Sequence, residues 1–221
     1  MGTLLKKILF ILVLLTLSKL GYAFGSARIA ISPQVLISNR IPFIPHTGQS
    51  AFDNVLAMNI PYQPVAEVRH QLSDLLRYNL NFFKGWNPQG EAHITVITPP
   101  EYAIVGRYIS IQKINEIALR NNIQHSDLQI LGLGSGYLKI NSSIHSTYFL
   151  IVKSKNLISI RQQIYLNYLK NGGSPDGWNP QHFYPHITIG FTLRDLHEQD
   201  GIIKDFAHSL DKRFQMFWLY R

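Results

Sequence analysis

Apolar positions along the chain change period several times, and each change predicts an element. From Pro64 to Phe83 they recur at Val65, Val68, Leu72, Leu75, Leu76 and Leu80, the spacing of one helix face, with Pro64 suited to the first turn. The same period predicts helices from Ser110 to Leu119 and from Leu157 to Leu169, the latter ended by Asn171-Gly-Gly173. Short apolar runs between turn residues predict strands at Phe52 to Ile60, Leu128 to Leu133, Tyr137 to Ile140 and Thr147 to Val152. Gly132-Leu-Gly-Ser-Gly136 reads as a bent strand or hairpin between two of them. Residues 24 to 46 suggest one or two short strands and an extended approach. Arg194 to Leu210 reads as partly helical, and Phe214 to Tyr220 as a terminal strand or buried tail.

Two further segments alternate, Glu91-Ala-His-Ile-Thr-Val-Ile-Thr98 and His182-Phe-Tyr-Pro-His-Ile-Thr-Ile-Gly-Phe191. On a strand His93 and Thr95 share one face, and so do His186 and Thr188, while Ile94, Val96, Ile187 and Ile189 point the other way. Each strand follows an identical turn, Gly85-Trp-Asn-Pro-Gln89 and Gly177-Trp-Asn-Pro-Gln181, and each turn follows a helix. The chain therefore contains an internal repeat. Packing one copy on the other about a pseudo-twofold axis would turn two imidazoles and two hydroxyls into one cleft. The expected fold is α+β and bilobal, each lobe a small β-sheet with packed helices around that cleft.

Composition narrows the chemistry. There are no cysteines, which excludes thiol nucleophiles, cysteine-ligated zinc and disulfides. No His-Glu-x-x-His pattern or Walker-type loop occurs, since the glycines at 132–136 lack the lysine and following helix of a phosphate loop. Lys6 and Lys7 precede an apolar run from Ile8 to Leu17, and Gly21-Tyr-Ala23 supplies small residues. Residues 1–23 are expected to be a signal peptide cleaved before Phe24, with a secreted or periplasmic destination; an uncleaved membrane anchor is the alternative. Removing Lys6, Lys7 and Lys19 lowers the formal charge from +8 to +5. That charge suits an anionic ligand, but is too small and scattered for extended nucleic-acid binding. No stable membrane insertion is expected after cleavage, and residues 24–221 form the folded domain.

His93-Ile-Thr95 and His186-Ile-Thr188 resemble the paired motifs of the two-histidine (2H) phosphoesterases, which include cyclic nucleotide phosphodiesterases and 2′-5′ RNA ligase-like proteins. The resemblance implies a metal-independent, cofactor-free enzyme acting on a nucleotide or short RNA phosphodiester, often a 2′,3′-cyclic phosphate. His93 and His186 would serve as acid and base in either order, a role suited to an unperturbed imidazole pKa of ~6.5. Thr95 and Thr188 would hydrogen-bond the non-bridging oxygens. A non-catalytic nucleotide- or phosphate-binding protein on the same scaffold is the competing reading, and a purely structural repeat a third.

A lone His-x-Thr carries little weight, as His145-Ser-Thr147 illustrates. That third match has a polar middle residue and no preceding tryptophan turn, so it is read as an accident, with His145 the first substitute. Tyr102, Phe183 and Tyr184 flank the motifs and offer faces for stacking on a base, although packing is the commoner use of such rings. Trp86 and Trp178 are expected to anchor packing. Arg107, Lys139, Lys153 and Arg194 are candidate phosphate contacts, His182 a candidate partner of His186 on the same strand face, and Glu91 a candidate support for His93.

Overall fold

The computed structural model describes residues 26–49, 53–85 and 89–220. The expected signal segment lies outside them, as do Phe52 and Trp86. The elements are β1 (Ala27–Ile31), β2 (Leu56–Ile60), α1 (Tyr62–Leu76), β3 (Ala92–Ile97), α2 (Pro99–Val105), α3 (Ile111–Arg120), β4 (Gln129–Ile140), β5 (Ser143–Lys153), α4 (Lys155–Lys170), β6 (His186–Phe191), α5 (Phe206–Ser209) and β7 (Phe214–Trp218). They form a mixed α+β fold with three small sheets: β1 parallel to β7, β2 antiparallel to β3, and an antiparallel β4-β5-β6 sheet. The parallel joining of the two ends was not foreseen. Among the described residues no helix is long and apolar enough to cross a membrane.

Local sequence explains most boundaries. Val65, Val68 and Leu72 bury one face of α1, which ends earlier than its apolar period because Arg77 turns left-handed at φ 61°. The amides of Arg77 and Tyr78 then bond back to Asp74 and Ser73, a helix-ending arrangement that releases Leu80 to the core. Ser110 and Ser154 cap α3 and α4 through their hydroxyls. Positive φ at Asn141 and Ser142 closes the β4–β5 hairpin.

Two expectations need correction. Pro99-Pro100 ends β3 as anticipated but also begins α2, because Thr98 and Glu101 form a reciprocal capping box and proline is tolerated in a first turn. The two strands expected around Gly132–Gly136 are one strand, β4. Its glycines keep one face open: a Cβ at Gly132, Gly134 or Gly136 would run into Leu210, Phe149 or Ile202. The segment following β6 can therefore lie directly on β4. Gly134→Ala should drive its methyl into the Phe149 ring, which packs edge-on against His186 with centroids 5.7 Å apart. Overpacking of this kind costs ~1–3 kcal/mol. Thermal denaturation should show a melting temperature several degrees lower, and an unchanged one would contradict so close an approach.

The repeat reaches deeper than its turns and strands. Val65-x-x-Val68-Arg69 in α1 matches Leu157-x-x-Ile160-Arg161 in α4, and each arginine precedes its tryptophan by seventeen residues. The helices pack reciprocally, α1 against β6 and α4 against β3, and β3 lies beside β6. Each copy is thus closed by the helix of the other, which fixes the two histidine strands as neighbours.

Candidate active site

Both strands alternate as their sequences demand. Ala92, Ile94 and Val96 are buried in β3 and Ile187 and Ile189 in β6, leaving His93, Thr95, His186 and Thr188 on the other faces. All four line a single cavity of about 480 Å3, with Phe83, Phe183, Tyr184, Asp195 and Lys204 among the other wall residues.

His186 is the more tightly held imidazole. Its Nδ1 lies 2.7 Å from the Tyr184 carbonyl, which can only accept, so Nδ1 carries the hydrogen. Its Nε2 then accepts from the Lys204 ammonium at 3.2 Å. Burial, followed by the positive charge of Lys204, pushes the His186 pKa well below the ordinary imidazole range, against the opposing pull of Asp195. The ring is neutral at neutral pH, with its lone pair on Nε2.

Asp195 gathers the groups behind this ring. Lys204 Nζ donates to its two carboxylate oxygens at 2.8 and 2.9 Å, Thr188 donates to Oδ2 at 2.9 Å, and the buried Thr147 donates to Oδ1. Burial opposes ionisation of Asp195, but the Lys204 charge outweighs it and holds the carboxyl far below the usual range. Burial likewise lowers the Lys204 pKa while Asp195 resists that shift. Both side chains are only 3 % exposed.

His93 has different surroundings. Its Nδ1 lies 3.2 Å from Glu91 Oε1, within ion-pair distance but outside hydrogen-bond geometry, and its ring packs beside Phe83 and His46 at centroid distances of 5.8 and 6.0 Å. Burial and then the neighbouring His93 lower the His46 pKa. Glu91 can approach because Gly85, at φ +49°, has no side chain where the carboxylate sits.

A family model described as Swiss Army Knife, 2H phosphoesterase domain matches residues 54–197, more than half of the chain and all four of these His and Thr positions. The chain belongs to the 2H phosphoesterases. Family membership implies phosphoester chemistry on a phosphodiester substrate. No curated protein and no solved structure matches the chain.

In this 2H phosphoesterase the end of β3 is tied to the segment that leads into β6 by Arg161, fully buried on α4. It donates to the Val96 carbonyl at the end of β3 (2.6 Å), to Pro180 in the second tryptophan turn (2.8 Å), to the His182 carbonyl before β6 (2.9 Å) and to Glu101 Oε1 (2.7 Å). Trp178 Nε1 reaches the same Glu101 oxygen at 3.0 Å. Burial opposes the Glu101 charge, but Arg161 prevails and lowers its pKa. Trp178 is thus a packing anchor, and its turn is read by an arginine.

Phe183 and Tyr184 line the cavity, but Tyr102 does not. Tyr102 lies on α2 with its hydroxyl accepting from the Ile111 amide, because the helix begun by Pro99-Pro100 carries it away. His182 is not on the strand of His186, since β6 begins only at His186; its Nε2 pairs with Glu198 at 2.6 Å on the cavity rim. Arg107, Lys139, Lys153 and Arg194 are not wall residues. Arg194 is engaged by Asp200. The missed cation is Lys204. His145 stays off the wall, yet Thr147 of the same triplet holds Asp195.

Proposed function

We propose that this 2H phosphoesterase hydrolyses 2′,3′-cyclic phosphates or short RNA-derived phosphodiesters, with His186 as the base and His93 as the acid. The observation that carries this reading is the pairing of two His-Thr faces across one cavity, with one imidazole held in the neutral Nδ1–H form. Water attacking phosphorus gives its proton to His186 Nε2, and the P–O bond to the ribose oxygen breaks as that oxygen takes a proton from His93. An imidazolium at His93 has the Glu91 carboxylate as counter-charge 3.2 Å away. Thr95 hydrogen-bonds a non-bridging oxygen, and Thr188 reaches one only by exchanging its partner Asp195.

The cavity, about 480 Å3 in volume, is of small-ligand size. A mononucleotide or the end of a short oligonucleotide is therefore favoured over a long duplex, with Phe183 and Tyr184 as candidate contacts to the base. The leader-like residues 1–23 further suggest export, which separates the enzyme from cytoplasmic RNA and favours hydrolysis over ligation. Purified protein assayed in EDTA against 2′,3′-cyclic mononucleotides and a short RNA ending in a cyclic phosphate should turn over at least one of them. Affinity for the same panel without turnover would favour the binding-protein reading.

A pH profile checks the base. His186 must be neutral to accept a proton, and its lowered pKa moves the acid limb of kcat/KM downward. That limb should fall below the ordinary imidazole value of ~6.5, with activity retained at pH ~5.5. An acid limb at or above pH ~6.5 would contradict His186 as the base.

A further inference from the structure

We propose that Lys204 is the phosphoryl-binding cation of this site, and that its ammonium turns from His186 Nε2 to a non-bridging oxygen as substrate enters, releasing the base. This rests on the hydrolytic reading above and adds a residue that lies beyond the family-matched segment, which ends at 197.

An ammonium has three N–H donors. Asp195 can hold two of them, at 2.8 and 2.9 Å, and the third meets His186 Nε2 at 3.2 Å. That nitrogen's lone pair is the one required to take a proton from water, and it cannot serve lysine and water together. The resting base is therefore occupied. An anionic phosphoryl oxygen is a stronger acceptor for a charged donor than neutral imidazole, so an incoming phosphodiester draws the third N–H to itself. Asp195 keeps the other two, and the ammonium needs only to pivot on its anchor.

Among the described residues Lys204 is the sole lysine or arginine lining the cavity, and the His93 imidazolium of the hydrolytic reading is committed to the leaving oxygen. Arg161 is consumed by carbonyls and Glu101, and Arg194 by Asp200. A purely structural role is a weak explanation for this pair, because a well-packed apolar pair often serves stability as well as a buried ion pair. The groups facing His186 are Lys204, Asp195 and His197, with the Tyr184 carbonyl at Nδ1 and the Phe149 ring edge alongside. Only Lys204 both touches Nε2 and carries the charge a phosphate needs. The open glycine face of β4 delivers it there, since Ile202 seats on Gly136 and Leu210 on Gly132.

The test is calorimetric titration of inorganic phosphate into the purified protein, Lys204→Met and Lys204→Met/Asp195→Asn, with melting temperatures and cyclic-nucleotide turnover measured on each. The single variant strands a buried carboxylate and should melt lower, while the double variant removes that charge and leaves an amide whose oxygen can accept from one of the Thr147 and Thr188 hydroxyls and whose NH2 can donate to the other. The proposal expects the double variant to recover much of the lost melting temperature yet bind phosphate at least ~10-fold more weakly than the parent, a loss typical of a charged hydrogen bond. Phosphate affinity in the folded double variant within about twofold of the parent, well under the loss expected of a charged contact, overturns it. In the unsubstituted protein, phosphate should also shift the His186 ring ¹⁵N resonances as Nε2 loses its lysine donor. Phosphate binding that leaves them unmoved, or a parent that binds no phosphate, overturns the proposal whether or not the variants fold. Turnover by the parent separates the two claims: hydrolysis with lysine-independent phosphate binding sinks the role of Lys204 alone, whereas lysine-dependent binding without hydrolysis sinks the enzymatic reading and leaves the cation in place.

Discussion

His93→Ala and His186→Ala should each lower kcat/KM on a 2′,3′-cyclic nucleotide by ~10²–10⁴-fold, the range for removal of a general acid or base, while leaving the fold intact. Both rings sit at the cavity wall, His186 the more deeply of the two, so neither substitution opens the apolar core. Neither loss should exceed a modest change in melting temperature, so an inactive but folded variant is the expected phenotype. His186→Ala has the further consequence of freeing the third Lys204 donor, and phosphate or product should bind that variant no more weakly than the parent. Steady-state kinetics beside thermal denaturation checks both points. A variant that keeps parental kcat/KM would remove its histidine from the mechanism.

The second large effect is structural. Arg161→Met should destabilise the protein by about 3–5 kcal/mol, because breaking a buried charged network from one side leaves the opposite charge and its acceptors unpaired. The groups abandoned would be the Glu101 carboxylate and the carbonyls of Val96, Pro180 and His182. At this chain length ~2–4 °C is lost per kcal/mol, so the melting temperature should fall by roughly 10 °C. Arg161→Lys should recover little, since a single ammonium cannot reproduce a planar fork spread over three segments of chain. Activity should fall with stability, because the segment from His182 to Tyr184 is what presents a carbonyl to His186 Nδ1. A melting temperature close to that of the parent would show that Arg161 does not tie β3 to β6.

Much of this site was legible because it is periodic. Alternation placed His93, Thr95, His186 and Thr188 on outward faces, and the recurring tryptophan turn told the two His-x-Thr pairs that line the cavity from His145-Ser-Thr147. The helices over α1, α3 and α4 followed from the same kind of signal. Glu101 was also encoded locally, as the last residue of Thr98-Pro-Pro-Glu101, but the two prolines read as a stop when they equally open a helix. The glycines of β4 read as a break for a related reason. A strand with glycine at alternate positions can continue if another segment packs on the bare face, and that is visible only in three dimensions.

Asp195 and Lys204 had no such signature. They lie in irregular chain after β6, where nothing local separates Lys204 from any solvated lysine. Their significance comes from burial beside His186, a long-range outcome of how Ile202 and Leu210 settle on β4. Arg161 was hidden in another way. It stands among the apolar positions of α4, and its equivalence to Arg69 emerges only once the repeat is extended back from the tryptophan turns.

The central claim is that His93 and His186 act together on one phosphoryl group, and the direct measurement is kcat/KM for the double variant His93→Ala/His186→Ala beside the two single variants, with EDTA present. Residues that act as a unit are non-additive, so the double variant should be about as impaired as the worse single variant. Losses that multiply, or a single variant retaining most of the parental rate, would contradict a paired mechanism.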